Sequence, residues 1–452
     1  MKNILLVQVP TSHLGSKERV YPLGLSRLAS LIPDNIEPSG LDMNLHVDPW
    51  PLLKERLEGL KPDIVALSFR NLDPLAGHHA SYLSSLKTAA ALVRSLRPDA
   101  RILTGGTAFS LFAKRLMQEI PQIDFGLVGE GEAVFERLIS PALNPADIPG
   151  LIFRQNGELI QNATGPHLNM ATLPDPDIDL FPISDYTCGN QYVAAIGIEG
   201  KRGCNLQCGY CVYPSLGGCR MRLRPPTTIV DEMQRLHHDH GVDLFHFTDS
   251  VVNLPASHFE AVCREIIRRG LHIRWTGFFR ETHVTPDLID LAYKAGLVAI
   301  YFSGDALTDY GLNLLNKQMT KADILKASRM TADNGILTMC HFMANLPGET
   351  KAHAAEAVET LDRILEIHAS SSTSGGNLGA VIFNTIRLYP DAPLTRKLLT
   401  IGELDPVVDL LYPVYHSPPQ TAHRLHELEA RCHAAGIFSR LQIEEIMESG
   451  TS

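Results

Sequence analysis

Lys201-Arg202-Gly203-Cys204-Asn205-Leu206-Gln207-Cys208-Gly209-Tyr210-Cys211 sets three cysteines in the spacing C-x3-C-x2-C. Three thiolates on one short loop make a soft, anionic donor set, and soft donors select iron–sulfur clusters, zinc or Cu(I). A [4Fe–4S] cluster held wholly by protein takes four thiolates, so three leave one iron of a cubane open to an external ligand. The alternative is a tetrahedral structural zinc completed by Cys219 or a histidine, and Cys219 stands eight residues past Cys211. An apolar run from Tyr192 to Ile198 leads into the loop, and Tyr210 lies between the last two cysteines.

Downstream of the loop, helical spacing at 228–239, 259–269, 286–295, 322–334 and 352–368 alternates with apolar runs at 244–249, 272–278, 298–304, 336–343 and 381–388. With the run before the cysteines this makes about six strand–helix units, fewer than the eight of a closed barrel. The three-cysteine pattern resembles that of the radical S-adenosylmethionine (SAM) superfamily, in which the open iron chelates the amino and carboxylate groups of SAM. That resemblance implies a partial (β/α)6 barrel. Chemistry in such barrels sits on the loops after the strands, which selects Asp249, Arg280, Ser303, Asp305, Asn345 and Arg387. By resemblance, Asp249 meets the SAM ammonium or approaches the open iron. Ser303 and Asp305 face the ribose, and Tyr210 neighbours the adenine. The turn Asn345-Leu346-Pro347-Gly348-Glu349-Thr350 lies beside the adenine, with Asn345, Pro347 and Glu349 as contacts. Each carboxylate also suits a plain helix cap. Trp275 is expected to pack in the core.

The first 140 residues carry apolar runs at 3–9, 63–68, 101–106 and 125–128, with helical spacing at 23–31 and 82–96. This alternation implies a doubly wound, Rossmann-like α/β domain with a parallel sheet. Ligands of such sheets bind beyond the carboxyl ends of the strands, and glycine pairs there let backbone approach a phosphate or a flat ring. Periodicity alone leaves a flavodoxin-like nucleotide site open. The run Leu67-Ser68 followed by Thr104-Gly105-Gly106-Thr107-Ala108-Phe109-Ser110 is similar to that of cobalamin-binding domains. The resemblance implies that Ser68, Gly105, Gly106, Thr107 and Ser110 line the pocket for the nucleotide tail of B12, and that Gly129 and Glu130 close it. The D-x-H-x-x-G signature, whose His ligates cobalt, is absent; the matching loop reads Pro10-Thr11-Ser12-His13-Leu14-Gly15. Cobalamin is therefore expected without a protein imidazole, with His13 a loop residue. Ser68-Phe69-Arg70-Asn71-Leu72-Asp73 resembles the corresponding run of cobalamin-dependent tryptophan 2-C-methyltransferases, which places Arg70 and Asn71 among the cofactor-binding residues. A guanidinium does not ligate metals, so under the corrin Arg70 discourages a lower ligand. The plainer reading of Arg70 is a solvated rim or a phosphate contact.

Between these regions, residues 151–160 place two short apolar runs around Asn156-Gly157, a hairpin signal, and Leu173-Pro174-Asp175-Pro176-Asp177-Ile178-Asp179 reads as extended. The cationic run Arg220-Met221-Arg222-Leu223-Arg224 reads as a solvated surface or as a contact for a substrate carboxylate or for cobalamin side chains. Residues 405–452 read as mostly helical, with an aromatic kink at Tyr412-Pro413-Val414-Tyr415-His416. In related enzymes a C-terminal segment encloses substrate, so Tyr415 joins Arg70 and Asp249 as a candidate catalytic residue. The expected division is a cobalamin-binding domain at 1–145, hairpin and linker at 146–190, a radical SAM partial barrel at 191–400 and a helical C-terminal segment at 401–452.

The 452 residues are 44% hydrophobic and 20% charged, with formal net charge -10. An acidic balance argues against nucleic acid as a partner. No apolar run reaches the roughly 18–20 residues of a membrane span, and the N-terminus reads as a strand rather than a signal peptide. Eight cysteines, three of them clustered, make no disulfide scaffold and point to a reducing cytoplasm. The order of regions resembles the cobalamin-dependent radical SAM enzymes, most of which are methyltransferases. The cofactors so implied are a [4Fe–4S] cluster, SAM and cobalamin (as methylcobalamin). The implied partners are a small-molecule substrate, with tryptophan or an indole as the aromatic option, and an electron donor such as flavodoxin or ferredoxin. A monomer suffices for this. The alternatives are a ring-forming or ring-contracting oxidoreductase with the same cofactors, and a cobalamin-binding sensor or carrier with a dead cluster.

Overall fold

Lys2–Gln8 (β1) is apolar from Ile4 to Val7 and buried there. A strand covered by helices on both faces needs such an unbroken run. The computed structural model describes residues 2–11, 19–73, 81–187, 194–371, 376–416, 421 and 423–439. They form two compact units that divide at Gly197/Ile198, apart from the short stretch Leu216–Gly218, which clusters with the first.

In the first unit β1 lies between β2 (Ile36–Asp42) and β3 (Ile64–Ser68), followed outward by β4 (Arg101–Gly105), β5 (Phe125–Leu127), β6 (Leu151–Gln155) and β7 (Glu158–Gln161). The first five strands are mutually parallel, and β6 and β7 run antiparallel. The connecting helices are α1 (Leu23–Ala29), α2 (Trp50–Leu60), α3 (Leu83–Leu96), α4 (Thr107–Glu119) and α5 (Phe135–Ile139). Apolar periodicity gives no sign of β2, because Pro38 and Gly40 interrupt it. An edge strand tolerates both, since one side needs no ladder donors. A Cβ on Gly40 would stand 2.6 Å from the Leu180 carbonyl, so the extended segment lies directly on this strand. The hairpin expected at 151–160 forms around Asn156 and Gly157, both at positive φ. Its strands extend the sheet instead of standing apart as a linker. Buried Arg27 of α1 donates to the Pro174 carbonyl at 2.6 Å, and Asp177 N donates to Ser26 O at 2.9 Å. The Pro/Asp-rich segment is thereby tied along α1.

The second unit contains a six-stranded sheet in the order β8 (Ile196–Ile198), β11 (Leu244–Phe247), β12 (Arg274–Phe279), β13 (Leu297–Asp305), β14 (Leu337–Met343), β15 (Leu378–Asn384). β11 to β15 pair in parallel. The helices are α6 (Tyr213–Gly217), α7 (Pro226–His240), α8 (Ala256–Arg268), α9 (Pro286–Lys294), α10 (Asp309–Leu314), α11 (Lys321–Asp333), α12 (Lys351–Ala369), α13 (Pro393–Thr400) and α14 (His423–Ala434). β9 (Lys201–Arg202) pairs with β10 (Arg222–Leu223) on either side of the cysteine loop. Five parallel strands flanked by β8, with the helices between them, are the open barrel expected from the alternation. Trp275 packs in the core as expected: its ring meets Phe247, Phe279 and Phe259 of α8, and its Nε1 donates to Ala295 O at 2.8 Å. The aromatic kink expected between C-terminal helices is a strand, β17 (Tyr415–His416), antiparallel to β16 (Ile386–Arg387). Among the described residues no helix is long and apolar enough to cross a membrane.

Candidate active site

The cysteine loop is anchored at its base by β11. Asp249, two residues past that strand, accepts from Gly200 N at 2.7 Å and Lys201 N at 3.0 Å through Oδ1. Its Oδ2 lies 3.3 Å from Lys201 Nζ, which also donates to Val252 O at 2.9 Å. Both side chains are buried. Burial raises the Asp249 pKa and lowers that of Lys201, so loss of hydration outweighs their mutual attraction. Asp249, expected to face SAM or iron, has Oδ1 on the loop backbone and Oδ2 beside Lys201, which makes it a positioning residue for the loop.

The tip of the loop is held by β13 and the turn after α10. Tyr210 donates its hydroxyl to Asp305, and Lys317 Nζ donates to Asp305 Oδ2 at 2.5 Å and to Ser303 O at 2.7 Å. Gly209 N donates to Leu315 O at 2.8 Å, and Asn316 Nδ2 to Gln207 O at 2.7 Å. Asp305 and Asn345 both adopt positive φ at strand ends, a strained conformation for non-glycine residues that concentrates at functional sites. Tyr210→Phe removes one hydrogen bond from buried Asp305 but leaves Lys317 in place. It should lower the apparent melting temperature by about 2–4 °C while iron content is kept.

Cys204 is buried, and Cys208 and Cys211 are half-buried. Burial raises both half-buried thiols, Cys211 to about 11, and the neighbouring cysteines add to this, so the three lie within electrostatic reach of one another. Lys317 and Arg280 act the opposite way on Cys208. Bound iron supplies the positive charge that deprotonates such thiols. Three soft thiols within electrostatic reach of one another, with buried Lys317 and Arg280 acting on Cys208, suit the donor chemistry of a three-cysteine cluster. Among the described residues no three His, Cys, Asp or Glu side chains converge as a single-ion cage, and Cys219 is exposed.

The turn after β14 is self-closing. Glu349 Oε2 accepts from Leu346 N at 2.9 Å, Pro347 O accepts from the Tyr310 hydroxyl at 2.9 Å, and Asn345 Oδ1 accepts from the Thr421 hydroxyl. Tyr310 stacks on His353 at 4.4 Å. Glu349 thus closes the turn, whereas the cap of α12 is Thr350, whose hydroxyl accepts from His353 N; burial raises the Glu349 pKa. Arg280 donates to the Lys317 and Gln318 carbonyls. Arg387 donates to Leu388 O and Leu410 O and lies over the Tyr389 ring, with Tyr415 opposite it in the β16–β17 ladder. Arg224 is no solvated cation: it forms a fully buried ion pair with Glu232 of α7 at 2.6 Å.

In the first unit Ser68 ends β3 opposite Gln8 and Gly105. Gly106 has φ +107, and a Cβ there would stand 2.5 Å from the Phe69 carbonyl oxygen. Thr107 donates to Arg70 O, Ser110 Oγ donates to Gly106 O at 2.9 Å, and Gly129 N donates to Ser110 Oγ at 3.0 Å. Nothing stands within 4 Å of a Cβ built on Gly129. Bare backbone around open space at the strands' carboxyl ends fits the tail of a large planar cofactor. Glu130 accepts from Leu168 N at 2.7 Å, tying the connector to the rim. Arg70 is exposed, and Asn71 Nδ2 donates to Thr11 O at 2.7 Å. Residues 12–18, with His13, lie outside the described residues.

Three functional neighbours escape sequence reasoning. Lys201 and Lys317 lie in no strand-end position. Asp42 ends the edge strand β2 and is buried, accepting from Asn44 N and Nδ2 at 2.9 and 2.8 Å and from the Tyr186 hydroxyl at 3.0 Å. Asn44 Oδ1 in turn takes Thr11 N at 2.8 Å, so Asn44 and Asn71 grip Thr11 from two sides. The available signal was the acidic end of a strand that periodicity hid.

Residues 198–361 match the radical SAM superfamily, and residues 15–139 match the B12 binding domain. The chain is 30% identical, over 66% of its length, to an anaerobic magnesium-protoporphyrin IX monomethyl ester cyclase of Cereibacter sphaeroides, of which it covers 49%. It is 23% identical, over 90% of its length, to an uncharacterized methyltransferase of Pyrococcus horikoshii, of which it covers 88%. It thus spans about half the length of the cyclase and most of the methyltransferase. Its fold is similar to that of the radical SAM methyltransferase TsrM of Kitasatospora setae, solved with tryptophan and a SAM analogue. That likeness has a TM-score of 0.74 at 22% identity and covers 96% of this chain and 89% of the other. A B12-binding domain precedes a radical SAM domain on one polypeptide, and the chain belongs to the cobalamin-dependent radical SAM enzymes, with a [4Fe–4S] cluster, SAM and cobalamin as its cofactors.

Proposed function

We propose that this protein moves a methyl group from SAM, by way of cobalamin, to a carbon of a small-molecule substrate, with an aromatic ring of the indole type as the acceptor. The observation that carries this reading is one chain holding both a glycine cradle for cobalamin and a three-thiol loop. The near-full-length likeness to a methyltransferase supports it. When bound, cobalamin supplies a methyl carrier and the cluster an electron-transfer partner for SAM.

The chain's own residues provide position and electrostatics. Asp249 and Lys201 hold the loop base, and Asp305 and Lys317 hold its tip. Ser68, Gly105, Gly106, Thr107, Ser110 and Gly129 shape the cofactor cradle, with Glu130 on its rim. Ser303, Asn345, Pro347 and Glu349 set the strand ends around SAM. Tyr415 sits where the C-terminal segment returns to the barrel. Arg70 offers a permanent cation that cannot ligate a metal. Arg70→Ala or Arg70→Lys should shift the corrin absorption bands of the reconstituted protein; an unchanged spectrum and rate would remove Arg70 from the cobalt face. A one-electron donor such as flavodoxin or ferredoxin and a reducing compartment complete the proposal.

The test is product mass with SAM labelled in its methyl group. Label in the product supports methyl transfer. A cyclase-like second reading rests on the 30% identity to the protoporphyrin ester cyclase. It predicts an oxidised product without label, and that result would displace the first.

A further inference from the structure

The inner face of the barrel sheet carries a belt of rings where barrels are ordinarily filled by branched aliphatic side chains. Trp275 and Phe279 pack outward against Phe259 of α8, and Phe247 packs on Trp275. Side chains alternate along a strand, so His246, Thr276 and Phe278 point to the opposite, inner face. Tyr301 of β13 and His341 of β14 join them. Ring centroids lie 5.4 Å apart for His246–Tyr301, 5.9 Å for His246–Phe278, and 5.3 Å for both Phe278–Tyr301 and Phe278–His341. These are tilted and edge-on contacts within the range of aromatic packing.

Both imidazoles are held through Nδ1. His246 Nδ1 is 2.8 Å from Thr276 Oγ1, and His341 Nδ1 is 3.0 Å from Phe302 O. A carbonyl only accepts, so His341 carries its proton on Nδ1. Burial lowers both pKa values, that of His246 to about 4, and keeps the rings neutral. His246 is 7% exposed, and its Nε2 has no hydrogen bond among the described residues. This Nε2 is not sealed in, and an accessible, unbonded ring nitrogen on the inner barrel face can hydrogen-bond a polar group that arrives with the substrate.

We propose that this belt is the floor on which the substrate lies, that it takes an uncharged planar aromatic ring, and that His246 hydrogen-bonds the polar edge of that ring. The belt itself holds no counter-charge, and a charged group set on it would lose hydration without compensation. A flat ring keeps the tilted and edge contacts that the belt already makes. The proposal rests on the methyl-transfer reading for its chemistry, but binding is measured without turnover.

The experiment is equilibrium binding of indole and of ethylphosphonate to the full chain reconstituted with cluster and cobalamin. Indole should bind and ethylphosphonate should not. His246→Phe keeps a ring of similar size without the nitrogens and should weaken indole about tenfold, the value of one hydrogen bond. His246→Asn keeps a donor and an acceptor and should stay within about threefold of wild type. Iron content and the corrin spectrum show that each variant is loaded, and if His246→Phe fails to load, the Asn variant and the two probes still decide. The proposal is overturned if indole does not bind, if ethylphosphonate binds instead, if His246→Phe binds indole as wild type does, or if His246→Asn loses indole as His246→Phe is expected to. Indole binding without methyl transfer would defeat the proposed reaction and leave the belt standing. Methyl transfer with the His246→Phe variant unaffected in binding would do the reverse.

Discussion

Asp249→Ala should leave the purified protein largely without iron and lower its stability by roughly 3–5 kcal/mol, the range for removing one partner of a buried ion pair. Two backbone donors, Gly200 N and Lys201 N, lose their acceptor, and the buried Lys201 ammonium loses its counter-charge. The stranded donors lie only four and three residues before Cys204, so the strain falls on the loop that presents the thiols. Asp249→Asn separates the effects, because its amide oxygen still accepts from the backbone while the charge is gone. Adding Lys201→Met to Asp249→Asn should recover much of the lost stability, since a buried pair replaced as a pair costs far less than a pair broken. Iron per chain and a melting curve read both outcomes. Full iron retention in Asp249→Ala would show that the loop stands without this clamp. If the double variant holds iron but SAM affinity stays low, the carboxylate also reaches the cofactor.

Gly106→Val should abolish stable cobalamin binding and destabilise the first unit by on the order of 3 kcal/mol. The backbone φ of +107 is unfavourable for any side chain, and the new Cβ would meet Phe69 O at 2.5 Å and Phe69 C at 2.8 Å. These obstacles are backbone atoms, so no rotamer relieves them. Phe69 cannot withdraw freely either, because its N donates to Gly105 O at 2.8 Å and the next carbonyl, of Arg70, takes Ala108 N at 3.1 Å. The turn between β4 and α4 must open, and it carries Gly105, Thr107 and Ser110 with it. Gel filtration with free cobalamin, followed at the corrin bands, measures the loss. Wild-type retention of cobalamin would mean that the cradle lies elsewhere.

Much of the architecture is legible because its determinants are local. Unbroken apolar runs in β1, β3 and β4 reveal a sheet covered on both faces, and the alternation after Cys211 reveals the barrel strands to within a few residues. Four features are not local. β2 hides because Pro38 and Gly40 break its pattern, and only its edge position makes them harmless. The hairpin at 151–160 is visible as a hairpin, yet its membership of the first sheet depends on pairing with β5. Arg224 looks solvated beside its charged neighbours, and only the approach of α7 brings Glu232 to it. Glu349 reads as a ligand contact or a cap, and only the fold shows that its Oε2 also closes the turn onto Leu346 N.

The sequence by itself determined a soft three-thiol donor set and the order of two α/β folds, since ligand type, spacing and periodicity are properties of neighbouring residues, while the cobalamin module was legible only through resemblance of its strand-end runs. Only the tertiary structure decided which charges hold the cysteine loop, that Asp249 serves Lys201, and that His246, Phe278, Tyr301 and His341 share one face. Those partners lie tens of residues apart in the chain, and strand pairing, which no local pattern encodes, is what brings them together.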